Sequence, residues 1–95
     1  MAAIFKVKYA FPLTSRSLFV FAGKVIQGAV ERGMSIHISL NEDATMDVPV
    51  QGVEVLRRDG DELVALTVAI EDQSDADFLQ QFDVVGESLT VLDET

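Results

Sequence analysis

The chain has 95 residues, 48% of them hydrophobic, no cysteine and a formal net charge of −9. One domain spanning 1–95, burying roughly 60–65% of its unfolded surface, is what that length supports, and the composition excludes a disordered chain, a disulfide framework and a cysteine-based metal site. The charge is uneven, +1 over residues 1–53 and −10 over residues 54–95, and so acidic a half repels phosphate, which argues against binding nucleic acid non-specifically.

The first segment, MAAIFKVKYAF, carries its lysines inside the apolar stretch, which is not the pattern of a signal peptide. No uncharged run reaches 18 residues, so no transmembrane helix is expected. A chain without cysteine stands on packing alone, and the expected location is cytoplasmic. Residues 4–11 alternate, with Phe5, Val7, Tyr9 and Phe11 on one face and Lys6 and Lys8 on the other, the signature of a half-buried strand. Pro12 is expected to end it, and residues 13–17 read as a loop.

The stretch from Phe19 to Leu40 has a glycine every five residues, at Gly23, Gly28 and Gly33, in a β-rich apolar background. It reads as a hairpin. Leu18 to Val30 forms one strand, with Gly23 and Gly28 marking a bulge, a barrel corner or a close backbone approach. Glu31-Arg32-Gly33 makes the loop, with Gly33 in the left-handed position. The return strand points Met34, Ile36, Ile38 and Leu40 inward and Ser35, His37 and Ser39 outward.

Residues 41–47 read as an acidic loop. From Val48 to Arg58 the apolar phase slips at Gly52, which predicts a bulge or a break between two short strands. Asp59-Gly60 is a turn signal. Leu63 to Ile70 is apolar on both faces, with Val64, Leu66, Val68 and Ile70 the stronger set, so something covers it on each side, the following helix being one candidate. Ser74 and Asp77 resemble a capping box for a short helix over residues 75–82 that places Phe78, Leu79 and Phe82 on one side. Gly86 is the turn before a last strand, Ser88 to Leu92, with Leu89 and Val91 inward, and the final DET is expected to fray.

Six or seven evenly spaced strands and one helical turn predict an all-β fold, a closed antiparallel barrel or a sandwich. The barrel is preferred because closure removes edges that such apolar strands would expose.

Gly23, Lys24, Val25, Gly28 and Gly33, with Gly52 to Arg58 and Val85 to Leu89, resemble the second-domain β-barrel of translational GTPases of the elongation factor Tu type, over residues 16 to 93. That resemblance implies a closed six- to seven-stranded barrel with a short helix. It implies no reaction, since a barrel of this kind is reused in many settings. A barrel standing without the nucleotide-binding domain is expected, and Gly23-Lys24 is no phosphate loop, because Val25 follows the lysine and Leu18 stands where the first glycine belongs. Met34 also departs from the acidic residue that often follows the third glycine in that family.

Other stretches offer little chemistry. His37, the only histidine, lies beside Ser35 and Ser39, but neighbours at i and i+2 on a strand do not make nucleophile–base geometry, and no G-x-S-x-G elbow supports a triad. Asn41, Asp43, Thr45 and Asp47 have calcium-loop spacing, yet Met46 replaces the turn glycine and Gly52 the bidentate glutamate. The Asp72, Asp75, Asp77 cluster has no ordered spacing for a hard cation, and Asp59, Asp61 and Glu62 read as solvated turn residues. Phe19 and Phe21 share a face, and core packing is the expected fate of the pair; an open groove lined by Phe19, Phe21 or Lys24 would mark a ligand site. No catalytic, metal or cofactor residues are assigned. The expectation is a stand-alone, non-catalytic module that binds another protein, with a homodimer allowed. A translation-associated RNA or ribosome binder is the alternative.

Overall fold

A computed structural model describes residues 2–71, 73–81 and 84–93, leaving aside the side chains of residues 40, 41 and 73. The placement of Leu40 and Phe82, the roles weighed for Asn41 and Asp72, and the last two residues therefore lie outside the described residues. In chain order the elements are β1 (Ala3–Leu13), a 3-10 turn (Thr14–Arg16), β2 (Leu18–Gln27), β3 (Ser35–Asn41), β4 (Ala44–Pro49), β5 (Gly52–Arg58), β6 (Asp61–Ala69), α1 (Gln73–Gln80) and β7 (Ser88–Leu92). The strands form one antiparallel sheet in the order β4-β3-β7-β1-β2-β6-β5.

This order is open. Its end strands, β4 and β5, do not pair along their lengths, so the ladder stops short of the closed barrel expected from the sequence. They are nonetheless consecutive in the chain, joined by Val50 and Gln51 alone. The Val50 N–H donates to the Met34 carbonyl at 2.7 Å, and the Gln51 N–H donates to the Thr67 carbonyl at 2.7 Å. In two residues the chain leaves β3 and joins β6, so the two ends of the sheet meet at this corner. The phase slip at Gly52 is this break between two short strands.

The expected hairpin around Gly33 is not formed. β2 pairs with β1 and β6, whereas β3 pairs with β4 and β7. The turn itself is present, with the Met34 N–H bonded to the Glu31 carbonyl at 3.2 Å and Gly33 at φ 95°. It redirects the chain into a crossover past β1 and β7, and the Gly33 N–H goes to the Val50 carbonyl. Turn chemistry is local, while the choice of partner is made by packing. Phe19 and Phe21 of β2 lie opposite Val68 and Leu66 of β6, which occupies the flank a hairpin partner would need.

One bulge divides β1 between two faces. Val7 opposes Gly23 and Tyr9 opposes Ala22, which leaves Lys8 as the extra residue. A Cβ on Gly23 would fall on the carbonyl oxygen of Lys6 and 3.1 Å from the backbone nitrogen of Lys8, so only glycine fits here. The extra residue inverts the alternation. Phe5 and Val7 enter the main core with Phe19, Phe21, Ile36, Leu66 and Val91, but Tyr9 and Phe11 turn to the opposite face. There they lie with Leu13 and Leu56 over a smaller cluster of Val20, Ala22, Leu63 and Ala65. The expected single face holding Phe5, Val7, Tyr9 and Phe11 is thus corrected. The two-sided apolar character of β6 is explained, because Leu66 and Val68 serve one cluster while Leu63 and Ala65 serve the other. Each fully buried Phe contributes roughly 1.5–3 kcal/mol relative to exposure.

Other local expectations shift. Pro12 lies within β1, opposite Phe19, where β7 no longer flanks the strand and only one neighbour needs satisfying. The acidic loop shrinks to a turn at Glu42 and Asp43, and Thr45 and Asp47 belong to β4. Asp59-Gly60 closes β5–β6 with φ values of 52° and 83°, the two-residue turn with both central residues left-handed that matches strand twist. Helix α1 begins at Gln73 and seats Ala76 and Leu79 in the main core, whereas Phe78 is 43% exposed. Because α1 begins at Gln73, Ser74 lies inside the helix and is not its N-cap as expected; Asp75, in the first turn, instead accepts the N–H of Glu71 from the chain entering the helix at 2.9 Å.

Candidate interaction surface

The residues singled out for chemistry do not converge. The His37 Nδ1 lies 2.8 Å from the Asp47 carboxylate, directly opposite on the paired strand, and Ser35 is buried instead of facing outward beside it. His37 and Ser39 border an open cavity of about 470 Å³ with Val84, Glu87, Ser88 and Thr90. Asp43 sits in the β3–β4 turn, while Thr45 and Asp47 lie on exposed positions of β4, so the calcium-like spacing is laid out along a strand. No cluster of three or more metal-ligating side chains occurs among the described residues. Phe19 and Phe21 are in the core, with ring centroids 5.1 Å apart at 51°, so they line no groove.

Two surface features stand out instead. The first is strand β5, bonded on one flank to β6 and forming one end of the sheet. Val53 and Val55 share the parity of the core-facing β6 residues opposite them, Leu66 and Val64, yet are 39% and 65% exposed because no element among the described residues covers that end. An edge strand with exposed β-branched side chains is a template for strand addition.

The second is a recess of about 310 Å³ lined by Lys6, Val7, Lys8, Lys24 and Ile26. It gathers all three lysines of the chain. Lys6 and Lys24 are direct cross-strand partners, and Lys8 is the bulged residue, so the backbone irregularity at Gly23 brings the third lysine to the other two. The Lys8 Nζ donates to the Asp61 carboxylate at 2.9 Å. That hydrogen bond, then the charge of Lys8, then that of Lys24, hold the Asp61 carboxyl below the usual aspartate range. The same bond and the Asp61 charge raise Lys8 above the usual lysine range. Asp61 is also the cross-strand partner of Arg58, whose guanidinium stacks 4.6 Å from the centre of the Tyr9 ring. Neither Lys6 nor Lys24 has an ion pair among the described residues. Ile26, 59% exposed, forms an apolar wall beside these charges.

The alternation of Lys6 and Lys8 is visible in the sequence. Their meeting with Lys24 depends on the β1–β2 register, which hangs on the bulge opposite Gly23, a glycine whose place in the strand signals a bulge or close approach without saying which residues it brings together. No family model, curated protein or solved structure matches this chain. No helix among the described residues is long and apolar enough to cross a membrane.

Proposed function

We propose that the chain is a non-catalytic module that binds another protein, built on a barrel of the translation-factor second-domain type and working in the cytoplasm. The observation that carries this reading is the uncovered β5 edge with Val53 and Val55 exposed on it. Backbone donors and acceptors along such an edge supply affinity, and side chains alternating along it supply selectivity. The barrel likeness rests on the corner at Val50 and Gln51, where the two end strands follow one another in the chain while their outer flanks stay unpaired. A second copy meeting the same edge gives a homodimer.

Immobilised wild-type protein and a Val55→Lys variant, compared for the proteins each retains, test the proposal, with light scattering over a range of concentrations for self-association. A partner or dimer held by the wild type and lost in the variant is the expected result. A strictly monomeric wild type that retains no more protein than Val55→Lys does overturns it.

The second reading, an RNA or ribosome contact, is favoured by the three lysines in one recess. Sedimentation with ribosomes at low and moderate salt tests it. Cosedimentation that weakens with salt supports this contact, and absence from the pellet at both salt levels removes it.

A further inference from the structure

We infer that the recess between Lys6, Lys8 and Lys24 is the docking point for an acidic segment of a partner protein. Carboxylates meet Lys6 and Lys24, and an apolar side chain rests on Ile26. The inference deepens the protein-binding reading and rests on it.

Charge placement is the first argument. In a chain of net charge −9, all three lysines share one recess instead of being scattered as solvating groups. Lys6 and Lys24 stand directly opposite on paired strands, an arrangement that is unfavourable on its own and becomes favourable when an anion bridges it. Asp61 already shows the preferred chemistry, since its carboxylate sits 2.9 Å from Lys8 Nζ. The hydrogen bond of that carboxylate goes to Lys8, and Lys24 acts on it only through space, so the ammonium groups of Lys6 and Lys24 can still bond a ligand.

The surroundings select the class of ligand. Ile26, 59% exposed, puts apolar surface beside the charges, which suits a peptide that alternates acidic and apolar side chains. A nucleic acid would run its phosphates from this recess onto an otherwise acidic surface. It would also find no open aromatic platform beside the lysines, because Arg58 occupies the Tyr9 ring.

Fluorescence anisotropy tests the inference with three labelled probes: a decapeptide carrying Glu-Ile-Glu between Gly-Ser flanks, the same peptide with Gln for Glu, and a decameric oligouridylate. The acidic peptide is expected to bind, more weakly as salt rises, and the Gln peptide to bind far less. The Lys6→Gln/Lys24→Gln double variant should lose about tenfold in affinity. Asp61→Asn, which releases Lys8, should bind the acidic peptide several-fold more tightly, a gain that misfolding cannot mimic. Failure of the acidic peptide to bind, equal binding by wild type and double variant, or equal binding of the two peptides overturns the inference. Tighter binding of the oligouridylate reassigns the recess to nucleic acid. Self-association of the wild type that the double variant abolishes reassigns it to a second copy of the chain. If the peptide fails while partners retained through Val55 persist, this inference falls and the protein-binding reading stands.

Discussion

Gly23 and Lys6 approach so closely that a Cβ on the glycine would overlap the lysine's carbonyl oxygen. The contact sits beside the bulge that sends Phe5 and Val7 to one face and Tyr9 and Phe11 to the other. It also sits at the lysine recess, where Lys24 is the next residue. Gly23→Ala must push β1 and β2 apart or remove the bulge, at a cost of about 1–3 kcal/mol or more. Urea unfolding of the two proteins measures this, and an unchanged midpoint would refute the close approach.

Depth of burial separates Phe21 from Val55. Phe21 lies in the main core against Phe19 and opposite Leu66. Phe21→Ala is expected to cost about 3–5 kcal/mol, a large part of the roughly 5–15 kcal/mol that holds such domains. Val55→Lys, on an edge and 65% exposed, should alter stability by no more than about 0.5 kcal/mol. Thermal melts of both variants check the contrast and establish that any loss of partner in Val55→Lys is not a loss of fold.

The Lys8–Asp61 pair gives a pH dependence with a definite sign. The Asp61 carboxyl is lowered in the folded protein, so its contribution is complete above the unfolded aspartate value of about 3.9 and disappears as pH falls through the folded value. Lys8 is raised, so its contribution is complete below the unfolded lysine value of about 10.4 and disappears as pH rises through the folded one. Both groups are exposed, and the effect on stability is small. Carboxyl NMR titration should find Asp61 below the usual aspartate midpoint in the wild type and returned towards it in Lys8→Gln.

Arg58 lies 4.6 Å over the Tyr9 ring on the second face of the sheet. Arg58→Ala should destabilise by about 0.5–1 kcal/mol, and Arg58→Lys by less. Equal stability of all three proteins would show that the stacking contributes nothing.

How far the sequence could be read depended on the range of the interaction involved. Asp59-Gly60 specifies its turn through the left-handed preference of two adjacent residues. The phase slip at Gly52 specifies the break between β4 and β5, because a strand cannot change its buried face without an irregularity. The Glu31–Gly33 turn was equally legible, but its partner strands were not, since a turn directs the chain without choosing the flank on which it pairs. The lysine recess was illegible for the same reason: Lys24 meets Lys6 only through a register set partly by the contact of Gly23 with β1.

The sequence by itself determined a mostly antiparallel β architecture, most of its strands, a short helix and the two local turns. These follow from the period of apolar residues and from backbone preferences that act over a few positions. Tertiary structure alone decided that β2 and β3 part company, that β1 serves two clusters, and that three lysines meet beside Ile26. Each of those outcomes rests on contacts between residues distant in the chain, where pairing and close packing outweigh local preference.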